Sequence, residues 1–324
     1  MNSTDKELIY VKKRINNYLE DEEHLLTVIG KPLDSNEILY DTIKEVIKRR
    51  GTVLYIWGNS RVDKNLINYI NRESKYYAYT REDTTDKRLV FMNYKYLYNI
   101  NRNYDLIIID DISAYSKLSK DNFESLYKKV RRYTDKVILF SWIQYNKGLN
   151  VSTLNIDKKV FVEPRVITTR IDLKKDIPYV LYEYILWFKN NKKNVITYVP
   201  YKEDIESVYN YYNQKVKLSD VKEVKIYGEK IRDNVLKVKD KSIFLITNNM
   251  EEVLETPGID GIIILFADNS IIDYKKILFM CSKVTKSKGN FREVLLVCHS
   301  ETEDIDKARE ISRSFNKLLW EEKY

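Results

Sequence analysis

The chain has 324 residues, of which 44% are hydrophobic and 32% charged, and 56 Lys and Arg against 48 Asp and Glu give a net charge of +8. This length suits two α/β domains, and the composition excludes a disordered chain because it supplies enough apolar surface for packed cores. The two cysteines have no CxxC spacing and only two histidines occur, so a Cys/His zinc cluster is excluded and a reduced, cytoplasmic chain without zinc is predicted.

The first segment, residues 1–34, is charged at its start and places Leu8, Val11 and Ile15 on one helical stripe. It predicts an amino-terminal helical extension. Apolar runs along the chain are short, the stretch 262–267 being typical of the longest, so neither a signal peptide nor a membrane-spanning helix is predicted. Attachment to the inner face of a membrane as a peripheral protein remains an alternative to a purely cytoplasmic location.

Two series of short apolar runs follow, one within 35–163 and one within 164–300, and each run is followed by polar residues. Such runs predict buried strands. The runs are Val53 to Trp57, Leu89 to Met92, Leu106 to Ile109 and Val137 to Trp142, then Val166 to Thr169, Val195 to Val199, Ile243 to Thr247, Ile262 to Ala267 and Val294 to Val297.

Helical periodicity separates the predicted strands, for example after Ser35 and over 202–212, and a capping-box pattern at Ser300 precedes a closing helix over 301–324. Alternating strands and helices predict an α/β fold with two mostly parallel sheets. Ligands of such sheets bind beyond the carboxyl ends of the strands.

The loop after the strand 53–57 has the register of a GxxxxGK[ST] phosphate loop and precedes a predicted helix. Its candidate nucleotide-binding residues are Gly58, Asn59, Ser60, Lys64 and Asn65. In a phosphate loop, glycines let backbone amides approach the phosphates, the lysine binds the outer phosphates, and a hydroxyl binds the metal.

Two residues depart from that pattern. Asp63 stands where the last glycine would be and adds a carboxylate that repels phosphate, and Asn65 offers an amide oxygen in place of a hydroxyl. We therefore expect weakened triphosphate binding. A polar strand-to-helix loop with Lys64 in solvent is the alternative interpretation.

A second pattern places Asp110 and Asp111 directly after the strand 106–109. Its position beyond the candidate phosphate loop suits a Walker B strand, in which the first acid holds Mg²⁺ and the second polarises the attacking water. Asp111 is shorter than the usual glutamate, so we expect impaired water activation. An ordinary turn after a core strand is the alternative.

The segment Asp105-Leu-Ile-Ile-Ile-Asp-Asp-Ile-Ser-Ala-Tyr resembles the DEAD-type box of the late-competence ComF operon protein A family, which are DNA-uptake, helicase-like ATPases of superfamily two. Further similar stretches begin at Pro164, Asp176, Tyr198 and Ser300, so the resemblance covers roughly residues 50–324.

This resemblance implies two RecA-like lobes, 35–163 and 164–300, with ATP and Mg²⁺ as cofactors, single-stranded DNA as a partner and other competence proteins as further candidates. The family's second lobe carries a paired-arginine GRVGR motif that reaches the transferred phosphate. The matching stretch here has lysines, Lys283 and Lys286, in place of both arginines. Lysine lacks the bidentate fork, so turnover should suffer more than binding. Without the resemblance, this stretch would be a solvated basic turn.

Basic and aromatic residues are interleaved over 75–81, 94–96 and 128–133. Such mixtures suit neutralisation of phosphates together with base stacking. Because 27 tyrosines are spread along the chain, chance interleaving is the favoured interpretation, and a run such as 128–132 is more often a solvated helix face.

Three hypotheses follow for function. The first is a weakened ATP-dependent DNA translocase in which Lys64 binds phosphate, Asp110 binds Mg²⁺, Asp111 is a poor base and Lys283 or Lys286 a weak clamp. The second is a catalytically inactive helicase-like module that binds DNA or a protein partner. The third is a nucleotide-sugar or methyl transferase, which would need a GxGxxG loop that the 8 glycines do not form.

Overall fold

The computed structural model describes residues 3–70, 77–81, 86–115, 118–145, 148–154, 156, 159–216, 221–226, 242–287 and 292–321. By its internal contacts the chain divides into two compact units, Met1–Lys158 and Lys159–Tyr324. Within the described ranges, no helix is both long and apolar enough to cross a membrane.

The described part of the first unit contains a parallel sheet of seven strands in the order β3-β4-β2-β5-β6-β1-β7. The strands are β1 (Leu25–Ile29), β2 (Val53–Trp57), β3 (Tyr77–Thr80), β4 (Leu89–Asn93), β5 (Leu106–Asp110), β6 (Val137–Ser141) and β7 (Leu149–Ser152). Its helices are α1 (Ser3–Asn17), α2 (Tyr40–Lys48), α3 (Lys64–Ile70) and α4 (Lys120–Val130), and a 3₁₀ turn, Asn36–Leu39, leads into α2.

The second unit repeats the scheme with six parallel strands, among the described residues, in the order β10-β11-β9-β12-β13-β8. These strands are β8 (Arg165–Thr168), β9 (Val195–Tyr198), β10 (Val221–Ile226), β11 (Ser242–Thr247), β12 (Gly261–Leu265) and β13 (Glu293–Cys298). The helices are α5 (Tyr179–Asn190), α6 (Lys202–Tyr211), α7 (Met250–Glu255), α8 (Tyr274–Thr285) and α9 (Glu303–Glu321).

The central strands form because their apolar runs are buried on both faces, as parallel strands covered by helices require. Every residue of β2, β4, β5 and β6 is buried, and so is every residue of β9, β11 and β12. Helix α2 adds Ile43 and Val46 to the first core, and α5 adds Leu181, Ile185 and Phe188 to the second. The predicted α/β fold with two parallel sheets is confirmed.

The amino-terminal region differs in one respect from the predicted helical extension over 1–34. Helix α1 ends at Asn17, and Leu25–Ile29 continues as strand β1, which pairs with β6 and β7 inside the sheet. The run LLTVI is only five residues long and follows an amphipathic helix and several charged residues. The sequence pattern therefore did not distinguish this strand from a continuation of the helical extension.

Candidate functional site

The loop that follows β2 lies at the carboxyl edge of the first sheet, next to the end of β5, because these two strands are parallel neighbours. An open cavity of about 470 Å³ lies at this edge. Three segments line it, namely residues 33–36, the loop and first turn with Trp57, Asn59 and residues 61–65, and Ser113. The structure thus brings the two motifs predicted from the sequence to one place.

Gly58 begins the loop in close contact with the segment that follows Asp111. A Cβ atom at Gly58 would lie 2.3 Å from the Tyr115 carbonyl oxygen, a distance that no side chain tolerates. The Asn93 side-chain amide donates a hydrogen bond of 2.7 Å to the Gly58 carbonyl. This glycine therefore serves the packing of two loops against each other, beside any role in approaching a phosphate.

Asp63 caps the amino terminus of α3. Its Oδ1 accepts hydrogen bonds from the backbone amides of Asn65 (2.9 Å) and Leu66 (3.2 Å). Its Oδ2 accepts from the Asn36 amide (2.8 Å) and the Tyr40 hydroxyl (3.0 Å). An aspartate at this position satisfies amides that have no partner within the helix, which is the ordinary function of an N-cap residue.

The other predicted loop residues have a simpler placement. Lys64 and Asn65 are exposed and, like Asn59, line the cavity, whereas Ser60 is exposed outside its lining. The cavity wall also contains Arg61. Two cationic side chains, Arg61 and Lys64, therefore line the same cavity.

Asp110 is completely buried and accepts a full set of hydrogen bonds. The amides of Ile112 (3.1 Å) and Ser113 (2.8 Å) donate to Oδ1, and the hydroxyls of Tyr55 and Ser113 donate to Oδ2. Burial raises the pKa of Asp110, and the hydrogen bonds from Ser113 and Tyr55 act in the opposite direction. Burial, together with the neighbouring Asp110 charge, raises the pKa of Tyr55 well above its usual value, so this phenol remains a donor.

A continuous chain of hydrogen bonds connects Asp63 of the loop with Asp110 at the end of β5. The Asn36 amide donates to Asp63 and also to the Tyr55 hydroxyl (2.9 Å), which donates in turn to Asp110. We call this chain, Asp63–Asn36–Tyr55–Asp110, the carboxylate network. It joins the loop after β2, the turn before α2, and the end of β5.

Asp111 is also fully buried, and the hydroxyl of Tyr145 lies 3.5 Å from its Oδ2. The Tyr145 ring in turn stacks on Phe123, with ring centroids 4.9 Å apart. Asp111 is therefore enclosed by protein, with the Tyr145 hydroxyl beside it, rather than placed at an open surface. Its predicted function as a weak base stays a prediction.

Lys283 and Lys286 lie at the end of α8 in the second unit. The Lys283 ammonium donates to the Leu254 carbonyl at the end of α7, and burial lowers the pKa of Lys283 to about 8, with the Glu255 carboxylate acting in the opposite direction. Lys286 is exposed at the carboxyl cap of the helix. Their predicted function as a phosphate clamp stays a prediction.

The residues present do not fit a magnesium triphosphate held in the manner of a phosphate loop. The α3 amides that would face a phosphate are occupied by Asp63, and the Asp110 carboxylate already accepts from protein donors. Among the described residues, no group of three or more His, Cys, Asp or Glu side chains could hold a metal ion.

Sequence reasoning identified Asp63, Asp110 and the loop, but it missed the residues that connect them. The missed residues lie in segments that the sequence predicted as a helix cap, a helix, a core strand and a turn. In that order, they are Asn36, Tyr40, Tyr55 and Ser113. The available signal was the polar atom that Tyr55 carries into an otherwise apolar strand, since a buried phenol needs a partner.

Two of the basic-aromatic segments meet in the first unit. The Arg81 guanidinium lies over the Tyr96 ring, 5.7 Å from its centroid, and Tyr98 nearby in sequence is 70% exposed. Arg131 of the third segment is instead bound to the Thr134 carbonyl (2.6 Å) and to Asp135. Lys75 and Tyr76 lie outside the described residues.

Comparison with known proteins gives similarity at the level of fold. No protein-family model matches the chain, and no curated protein matches it in sequence. Among solved structures, the Escherichia coli DEAH/RHA helicase HrpB is 12% identical with a TM-score of 0.60, over 94% of this chain and 43% of HrpB. The chain thus spans less than half the length of HrpB.

Two structures of the Saccharomyces cerevisiae protein Dbp5, both bound to RNA and ADP BeF₃, are similar at 9% identity. The L327V form has a TM-score of 0.57 over 95% of this chain and 87% of Dbp5. The other has a TM-score of 0.55 over 98% and 92%. The chain therefore has the two-sheet, helicase-like fold that these DEAH and Dbp5 proteins share.

Proposed function

We propose that the chain is a helicase-like nucleic-acid-binding protein that does not hydrolyse ATP. The observation that carries this proposal is the Asp63 carboxylate on the amides of Asn65 and Leu66. In a phosphate loop these helix-terminal amides bind phosphate oxygens. A carboxylate fixed at the same donors repels a triphosphate and also removes the hydrogen bonds that would hold it.

The environment of Asp110 supports the same proposal. Holding Mg²⁺ requires carboxylate lone pairs directed at the ion or at its water molecules. The four hydrogen bonds that Asp110 accepts come from within the first unit and use those lone pairs. Its carboxylate consequently stabilises the turn after β5.

Nucleic acid is the partner that the fold and the charge favour. Dbp5, which shares the fold, has been solved with RNA bound, and the chain carries a net charge of +8. The pair Arg81 and Tyr96 places a cation beside an aromatic ring, a combination found in binding sites for single-stranded nucleic acids. The sequence resemblance favours DNA and a DNA-uptake role, with other competence proteins as partners.

One observation favours a second candidate, a slow ATP-dependent translocase. Lys64 and Arg61 face a cavity of about 470 Å³, which is within the usual size range of small-ligand sites. A nucleotide bound there would contact these cations without using the α3 amides.

The two candidates are separated by measuring ATP hydrolysis with Mg²⁺, with and without single-stranded DNA, together with oligonucleotide binding by fluorescence anisotropy. The control is Asp110→Asn, which keeps the shape of the buried side chain. We expect oligonucleotide binding and no hydrolysis above that of the control. DNA-stimulated hydrolysis that disappears in Asp110→Asn would establish the translocase and refute the inactive module. Absence of both binding and hydrolysis would refute both candidates.

A further inference from the structure

A second cavity, of about 620 Å³, lies within the second unit, far in sequence from the motifs of the first. Residues 160–166, Arg292, Glu293 and one face of α9 line it. Arg165 is the first residue of β8 and Glu293 the first of β13, and these strands are parallel neighbours. The cavity therefore lies at the amino-terminal edge of the sheet, opposite the edge where ligands of such sheets ordinarily bind.

Four arginines and two glutamates supply the charge of this cavity, which we call the arginine pocket. They are Arg165, Arg292, Arg309, Arg313, Glu163 and Glu293. The lining has two more arginines than glutamates, and Arg309 also pairs with Glu301 (2.8 Å) and Asp306 (3.7 Å) beside the pocket. Guanidinium groups that converge on a concave surface attract anions.

In the two most exposed arginines of the pocket, Arg165 and Arg313, the Nε atom of the guanidinium group contacts a glutamate carboxylate. Arg165 Nε lies 2.9 Å from Glu293 Oε2, and Arg313 Nε lies 3.3 Å from Glu163 Oε2, while their side chains are 61% and 60% exposed. Within the described residues the Nη groups of Arg313 have no hydrogen-bond partner, and those of Arg165 have only the Tyr184 hydroxyl at 3.4 Å. Each guanidinium group is therefore oriented by a glutamate and still presents its two Nη groups, which we call the outer fork.

The wall that carries Glu163 is rigidly attached to α9. The Asn316 side chain accepts from the Phe161 amide (2.7 Å) and donates to the Phe161 carbonyl (3.0 Å) and to Glu163 (3.3 Å). The rings of Phe161 and Phe315 pack edge to face with centroids 5.1 Å apart. The arginine pocket is therefore a preformed feature of this unit.

The chemistry of the pocket suits phosphate groups. A guanidinium end presents two parallel N–H donors that match two oxygens of a phosphate, and several arginines in one concavity can bind successive phosphates. An acidic protein segment would also carry anions, but protein interfaces are usually built around aromatic or large apolar anchors. Among the described residues lining the pocket, Val160 is the large apolar side chain that is exposed, at 49%.

We infer that the arginine pocket binds the phosphodiester backbone of single-stranded nucleic acid, as a contact separate from the carboxyl edges of the sheets. This inference rests on the proposed nucleic-acid-binding function and assigns part of it to Arg165 and Arg313. Glutamates hold the two guanidinium groups in place, and the outer forks receive the phosphate oxygens.

The test is the affinity of a fluorescent single-stranded DNA oligonucleotide for the full chain, measured by anisotropy over a series of salt concentrations. The pocket variant combines Arg165→Gln with Arg313→Gln. The matched control combines Lys175→Gln with Lys202→Gln, which removes the same charge from exposed positions of the second unit outside the pocket. A third variant, Arg165→Lys with Arg313→Lys, keeps the charge and the fold but removes both forks.

We expect the Gln pocket variant to bind on the order of tenfold more weakly, with the slope of log affinity against log salt reduced by about 0.7 for each lost phosphate contact. The Lys variant should lie between it and the wild type, and the control should change little. Equal losses in the pocket variant and the control would overturn the inference, because they would indicate a general charge effect.

The inference and the proposed function fail in different ways. If the wild type does not bind the oligonucleotide, the proposed function fails. If the wild type binds and the pocket variants bind equally well with the same salt dependence, only the inference fails. Unchanged oligonucleotide binding together with lost binding of polyglutamate in the Gln variant would assign the pocket to an acidic protein instead.

Discussion

The Asn36 side-chain amide donates a hydrogen bond of 2.8 Å to the Asp63 carboxylate, across 27 residues of sequence. Tyr40 donates to the same oxygen, so the turn before α2 and the start of α3 are joined through one side chain. Asp63, which accepts both hydrogen bonds, stands at the position where a phosphate loop has its last glycine. The residue that departs from the motif therefore makes contacts that stabilise the first unit.

Replacing Asp63 by glycine should increase the affinity of the chain for a triphosphate. The change releases the amides of Asn65 and Leu66 and removes a negative charge beside the cavity. Isothermal titration with a non-hydrolysable ATP analogue measures the effect. Asp63→Asn is the matched control, since asparagine keeps an N-cap oxygen on the amides and removes only the charge. Equal gains in both variants would mean that charge, and not occupation of the amides, opposes phosphate.

Truncating Asp110 should destabilise the first unit by about 3 kcal/mol, because Asp110→Ala leaves several buried donors without an acceptor. These donors are the Tyr55 and Ser113 hydroxyls and the amides of Ile112 and Ser113. Chemical denaturation measures the loss. Asp110→Asn should cost much less, since its oxygen can still accept and the two hydroxyls can rotate to accept from its amide. If Asp110→Ala left the free energy of unfolding unchanged, the result would contradict the carboxylate network.

A methyl group at Gly58 should cost about 1 to 3 kcal/mol, as overpacking of a tight site generally does. The added Cβ would meet the Tyr115 carbonyl oxygen at 2.3 Å, and this backbone atom cannot move without shifting the segment after β5. Gly148→Ala is the control, because a Cβ there has its nearest neighbour at 3.9 Å. The difference in midpoint of thermal unfolding between the two alanine variants is the measurement. Similar midpoints would show that the two loops are not packed as described.

The stability contributed by Lys283 should increase as the pH rises above about 8. Burial lowers the pKa of Lys283 to about 8 in the folded chain, against an ordinary value of 10.5. Between these values the unfolded chain holds the proton and the folded chain does not, so the free energy of unfolding increases with pH. Lys283→Met should lack this increase when urea unfolding is compared between about pH 7 and pH 10.

Lys286→Met, at an exposed position at the end of the same helix, controls for removal of a lysine. Other groups titrate in the same pH range, so the informative quantity is the difference between each variant and the wild type. A constant difference for Lys283→Met across the range would mean that the lysine is solvated in the folded chain.

The buried strands could be predicted because each is an apolar run with its polar residues at the ends. Val53–Trp57 and Ile107–Ile109 have no other stable location than the inside of a covered sheet. The edge strands Tyr77–Thr80 and Leu149–Ser152 were missed. An edge strand pairs on one side only and tolerates polar residues, so its apolar pattern is weaker. Val221–Ile226, with charged residues inside the strand, was missed for the same reason.

The candidate site could be predicted only in part. The positions of Gly58, Lys64 and Asp110 followed from motif spacing, because parallel neighbouring strands bring their carboxyl ends together. The partners of Asp63 and Asp110 could not be predicted, because Asn36 and Tyr55 reach them through contacts distant in sequence. Likewise the arginine pocket joins the starts of β8 and β13 to α9, and no local pattern marks it.

The Asp63 carboxylate differs from a bound phosphate in being covalently attached to the helix that it caps. A diffusing anion binds and leaves, and its occupancy depends on its concentration, whereas a tethered group remains at a fixed effective concentration. A nucleotide that used the amides of Asn65 and Leu66 would have to compete with this carboxylate. On the proposed function, we therefore expect this loop to keep the arrangement that Asp63 holds when nucleotide is added.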